Sequence, residues 1–259
     1  MSLFEELIED KEGDKKIVNS FKPKDTLSTQ IFEEGEDGIK MRSEIREKLL
    51  EISDEFIGTL GVEFFVHDIV LTGSLANYNW SDFSDVDLHI LIDFEEINKN
   101  HKKDSVALHT IIKEFFDAKK NVWNEKHEIV IKGYDVELYV QDVDEPHVSS
   151  GVYSVLHNKW EVEPKRETPN IDDNKILGKA EEYAKKIDSL VKNGNNGDIV
   201  PKIEKLRLKI KEFRQCGLES GGEYSYENLV FKLLRRNGYI EKLLKLKTDI
   251  LDKKLSITQ

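Results

Sequence analysis

Apolar positions along this chain repeat with two different periods, and the change of period organises it. Between Ile39 and Leu60 they fall at Met41, Ile45, Leu49, Ile52, Phe56 and Leu60, spacings of three and four that belong to one helical face. A helix is therefore predicted over Ile39–Leu60, closed by Gly61. The run Ile69-Val70-Leu71 ends a strand predicted at Val66–Leu71, and Leu88 to Ile92 form the apolar part of a second strand predicted at Asp85–Phe94. Ser74–Trp80, between them, is expected to form a short helix. Leu108, Ile111, Ile112, Phe115 and Phe116 mark a helix from Ser105 to about Trp123. His127–Lys132 and Tyr134–Gln141 have the pattern of a hairpin turning at Gly133, and Val152–Leu156 and Lys159–Val162 that of two further short strands.

After Pro169 the period becomes helical throughout. Ile176, Ala180, Tyr183, Ile187 and Val191 mark one helix. Ile199, Ile203, Leu206, Ile210 and Phe213 mark a second that ends at Gly217, Leu229 and Leu233 a third, and Ile240, Leu243, Leu244 and Leu251 a fourth. Asn193 to Gly197 is expected to be a turn or link. Strands followed by a run of helices predict an α+β fold, a mixed sheet flanked by helices with a C-terminal helical bundle after it. The expected division is an irregular acidic segment at 1–38 with a short helix at Leu3–Ile8, a catalytic domain at 39–168 and a helical domain at 169–259.

Composition narrows the class. With 38% hydrophobic and 35% charged residues, the chain has material for a core and no apolar run of membrane-spanning length. Its acidic start lacks the basic-then-apolar pattern of a signal peptide. Its single cysteine, Cys216, excludes an internal disulfide and cysteine-based zinc sites, so a cytoplasmic setting is expected. The net charge of −12 disfavours long nucleic acid as a partner, although Lys202–Lys211 and Lys232–Lys247 are locally basic.

The chemistry concentrates between Val70 and Phe94. Asp85 and Asp87 have the same strand parity and so face the same way, flanked by apolar Val86 and Leu88. Two carboxylates on one face repel unless a cation lies between them, and Mg²⁺ takes such oxygens. Gly73 permits close backbone approach to a ligand. Ser74 suits a helix N-cap and, equally, a phosphate; without a nearby base it would position rather than attack. A later strand offers Asp135 and Glu137, again of one parity, and Glu137 is the more central. His89 shares the parity of the aspartates, but a packed or exposed role suits it better. Tyr78, Trp80 and Phe83 suit either base stacking or core packing.

Gly73-Ser74, ten residues, then Asp85-Val86-Asp87 on a strand, with Glu137 on a later one, resembles the signature of the DNA polymerase β-like nucleotidyltransferases. The resemblance covers about Asp68 to Asp142. The flanks of the motif and the stretch Gly221–Tyr239 are also similar to small nucleotidyltransferases of tailed phages, which would place the protein in the host cytoplasm. The resemblance implies that Asp85, Asp87 and Glu137 are catalytic residues holding Mg²⁺ or Mn²⁺. Gly73 and Ser74 would then contact the phosphates of an NTP donor, ATP first among them. It also implies transfer of a nucleoside monophosphate to a hydroxyl of a small molecule, a protein or a tRNA end. In such enzymes basic residues of a helical domain contact the triphosphate; this chain offers Lys232, Arg235 and Arg236 on one helix and Lys175 and Lys179 on an earlier one, and a solvated face suits most of them better. Alternatives are a non-catalytic NTP-binding or toxin-neutralising module, and a nucleotide second-messenger synthase.

Overall fold

The structure is a computed structural model that describes residues 12–36, 38–98, 105–145, 149–193 and 199–257. The expected Leu3–Ile8 helix and residues 194–197 of the expected link lie outside these. The chain forms two compact units, one of Pro23–Glu167 and one of Met1–Lys22 with Thr168–Gln259.

The first unit is built on a six-stranded mixed sheet in the order β5-β6-β4-β3-β7-β8. The strands are β3 (Val66–Thr72), β4 (Val86–Ile92), β5 (Val130–Ile131), β6 (Tyr134–Asp142), β7 (Val152–Ser154) and β8 (Lys159–Val162). β4 and β6 are parallel, and the other pairs are antiparallel. The parallel pair requires a long crossover, which α3 (Phe94–Asn98) and α4 (Ser105–Lys126) provide. Ile69 and Leu71, Val86, Leu88 and Ile90, and Val136 and Leu138 bury one sheet face. Against it pack Ile45, Leu49, Ile52 and Phe56 of α2 (Ser43–Gly58), with Ile112 and Phe116 of α4. Asn124 of α4 donates to the Leu138 carbonyl and accepts from its N–H, both at 3.2 Å, satisfying the backbone of β6 beyond the end of β5.

Three sequence expectations change here. Helix α2 starts at Ser43, because Ile39 and Met41 belong to a strand, β2 (Gly38–Met41), paired with β1 (Phe32–Gly35). Met41 is buried in the same core as Ile45, so it continued the helical spacing from a strand. Its N–H donates to the Tyr153 hydroxyl at 3.0 Å, and Phe32 stacks on Trp160 with ring centroids 5.0 Å apart. The hairpin thus belongs to the sheet-bearing unit, and 1–38 is not one irregular segment. Ser74–Trp80 is a series of turns, not a helix. Asn77 Oδ1 accepts from the Tyr78 N–H at 2.7 Å, the local side-chain competition that diverts a backbone from helix.

The second unit is helical: residues 12–19 (α1), then α5 (Asp173–Lys192), α6 (Ile199–Gly221), α7 (Tyr226–Arg236) and α8 (Tyr239–Leu255). Ile17, Val18 and Phe21 are buried in it, as are Tyr183, Ile187, Ile203, Leu229, Leu233 and Leu243. The Asp172 carboxylate caps α5 by accepting from the Lys175 N–H, and Ser225 caps α7. Helix α6 runs past its expected end at Gly217. A Cβ on that glycine would stand 2.5 Å from Cβ of Glu227, so it marks a close crossing and not a helix end. No helix among the described residues is long and apolar enough to cross a membrane.

Candidate active site

The candidate residues lie on the polar face of the sheet. Along β4, Val86, Leu88 and Ile90 are buried while Asp85, Asp87 and His89 are half-buried on the opposite side. Asp85 immediately precedes the strand but keeps its parity. In the parallel register Asp87 stands opposite Glu137, and His89 opposite Tyr139; on the other flank Asp87 faces Thr72. Ligand oxygens of Asp85, Asp87 and Glu137 lie within 4.8 Å of one another. Asp135 is exposed and outside this group, which decides between the two acids of β6.

Three carboxylates this close repel one another. An all-oxygen, anionic donor set on adjacent strands matches the preferences of Mg²⁺ and Mn²⁺, which take carboxylates together with substrate phosphates. The residues present therefore fit a divalent cation.

Gly73 is bound to this centre by geometry. Its φ is +71°, and a Cβ placed there would lie 1.9 Å from Oδ2 of Asp87. The turn at Gly73-Ser74 is thus pressed against the second aspartate. Ser74 Oγ lies 2.7 Å from Ser84 Oγ, and Ser84 Oγ also accepts from the Ser81 N–H at 2.9 Å. This hydroxyl pair ties the Gly-Ser turn to the residue just before Asp85. The expected helix start at Ser74 does not form. The backbone here consists of turns, one closed by the Asn77 N–H on the Ser74 carbonyl at 3.1 Å.

Tyr139, Lys120 and Gln141, which the sequence did not single out, complete the face together with His89. The Tyr139 hydroxyl donates to Glu137 Oε2. Burial, this hydrogen bond and the charges of Glu137, Asp87 and Asp85 hold the phenol far above its usual range. The Tyr139 ring stacks on His89, with centroids 4.8 Å apart and 20° between planes, while Lys120 Nζ lies 4.2 Å from its centroid. His89 Nδ1 is 2.9 Å from Gln141 Oε1, so His89 is packed in place. The signal for Tyr139 was available: it lies two residues beyond Glu137 and shares its parity.

Other expectations resolve as packing. Trp80 donates through Nε1 to the Thr26 carbonyl, and both Trp80 and Tyr78 pack on the core. In the helical unit, Arg236 donates to Ser20 Oγ at 2.7 Å and lies over Phe21, a structural role. Arg214, unremarked in the sequence, donates to Asn228 Oδ1 at 3.2 Å and lies over Phe231. His67, Asp93 and Glu96 also approach one another, but Asp93 caps α3 through the Glu95 and Glu96 N–H groups. No protein-family model, curated protein or solved structure matches the chain.

Proposed function

We propose that the sheet-bearing unit is a metal-dependent nucleotidyltransferase that moves a nucleoside monophosphate from an NTP to a hydroxyl acceptor, releasing pyrophosphate. The observation that carries this reading is the convergence of Asp85, Asp87 and Glu137, with the Gly73-Ser74 turn packed directly against Asp87. Carboxylates alone repel a triphosphate, so donor binding by these residues depends on a divalent cation. Mg²⁺ or Mn²⁺ held by the three carboxylates would neutralise phosphate charge and make an acceptor hydroxyl more acidic.

The chain's own residues then have separate roles. Asp85, Asp87 and Glu137 supply the cation's oxygen ligands. Gly73 keeps backbone and phosphate close, and Ser74 helps fix the turn through Ser84. ATP is the first donor to try. With a chain charge of −12, the acceptor is a metabolite, a nucleotide, or a hydroxyl on a protein or tRNA end. The test is pyrophosphate release from each NTP with Mg²⁺ or Mn²⁺ over a panel of these acceptors. Release that needs the metal and is lost in Asp87→Ala supports the reading, and release unchanged by EDTA refutes it.

A further inference from the structure

We propose that Tyr139 is a positioning residue whose hydroxyl holds the Glu137 carboxylate in the orientation that brings it to Asp85 and Asp87. The inference rests on reading those three carboxylates as a divalent-cation centre. A glutamate has several side-chain torsions, and two like charges opposite it favour rotamers that carry it away. A neutral donor aimed at one of its oxygens counters this without adding a positive charge that would compete with a cation. Tyr139 meets that description: it shares the sheet face of Glu137, and its hydroxyl donates to Oε2.

The phenol ring is itself held by two neighbours. His89 stacks against the ring, and Lys120 Nζ lies 4.2 Å from its centroid with the lysine side chain only 18% exposed. His89 pairs with Gln141, whose Nε2 donates to the Glu145 carbonyl at 3.1 Å. The row Glu137, Tyr139, His89 and Gln141 is thus continuous from the carboxylate centre to the backbone beyond β6. Groups that orient metal ligands in this way commonly change metal affinity by about 10–100-fold when removed.

The test is a titration of the whole chain with Mn²⁺, followed by electron paramagnetic resonance of the free ion. Tyr139→Phe keeps the ring and its stacking and removes only the hydroxyl. The expected result is Mn²⁺ affinity weakened about tenfold or more, with an unchanged melting profile in EDTA and turnover restored at saturating Mn²⁺. Affinity unchanged in Tyr139→Phe but lost in Asp87→Ala would overturn the positioning role and leave the carboxylate centre standing. Affinity unchanged in Asp87→Ala would overturn both. A measurement on the unaltered chain guards against misfolding of the variant. Tb³⁺ bound competitively with Mn²⁺ should show emission excited through tyrosine, and its excitation only through tryptophan, or its absence, counts against the proposal.

Discussion

The Cβ that Gly73 lacks would stand 1.9 Å from Oδ2 of Asp87. One residue of the turn after β3 and one residue of β4 therefore occupy adjoining volumes that admit no larger side chain. Glycine is demanded twice at this position, by φ of +71° and by the aspartate. The two demands are separable by experiment. Gly73→Ala should destabilise the chain by about 1–3 kcal/mol, part of it backbone strain and part steric. In a double-mutant cycle with Asp87→Ala most of the steric part should be lost, since only the Cβ at 3.3 Å remains, and the strain is left. Denaturant melts of the four proteins measure this, and strictly additive costs would show that the contact carries no energy.

Removing either aspartate should stabilise the metal-free protein. Asp85 and Asp87 lie with Glu137 within 4.8 Å, so Asp85→Ala or Asp87→Ala relieves like-charge repulsion. In EDTA each variant is expected to melt a few degrees higher, on the scale of about 2–4 °C per kcal/mol. Adding Mg²⁺ should raise the melting temperature of the unaltered chain and leave both variants where they were. Equal Mg²⁺ shifts in all three would remove the cation from these carboxylates.

Lys232 gives the helical unit a predictable pH dependence. Burial holds its ammonium below the usual lysine range; Glu223 opposes this, and Arg236, Arg235 and Arg214 add to it. A lysine with a lowered folded-state pKa is unfavourable to folding while charged in both states. That penalty fades as pH rises from the folded value toward the unfolded one, about 10.5. Stability of the unaltered chain should thus gain a rising component on the alkaline side. Lys232→Met should melt a few degrees higher at neutral pH and lack that component. Thermal melts from neutral to alkaline pH check both statements.

Extended RNA should bind weakly. The chain carries −12, and its sheet face presents carboxylates. Single-stranded RNA of about twenty nucleotides is expected to bind more weakly than micromolar at physiological salt, with a log-log slope below that of about four phosphate contacts at about 0.7 each. A fluorescence titration at several salt concentrations measures both, and tight binding with a steep slope would replace the small-acceptor reading.

Much of this arrangement was legible in the sequence because strand parity is a local property. Asp85 and Asp87 declare a common face through the apolar residues between them, and Glu137 does so relative to Val136 and Leu138. Glu137 is the more central of the two acids of β6 in the sequence, and the fold adds that it lies beside Asp85 and Asp87 while Asp135 is exposed. What remained illegible depends on contacts distant in sequence. The period of Ile39–Leu60 could not separate Met41 on a strand from Ile45 on a helix, since both enter one core. Gly217 has the sequence signal of a helix end, and only the fold sets Glu227 and Ser225 against it. The Ser74–Trp80 turns reflect Asn77 bonding to the neighbouring backbone, which an apolar count does not register. Tyr139 carried its parity openly, but only the fold turns its hydroxyl onto Glu137.

Transfer of the α-phosphate group by a cation-bearing carboxylate centre is read from labelled donors. The chain is incubated with Mg²⁺ and a mixed pool of small hydroxyl compounds, protein and tRNA, using ATP labelled in parallel at the α or the γ position. The expected result is that α-label moves to an acceptor and γ-label leaves as pyrophosphate, both abolished by EDTA and by Asp87→Ala. Transfer of γ-label to an acceptor, or α-label transfer undiminished in Asp87→Ala, would contradict it.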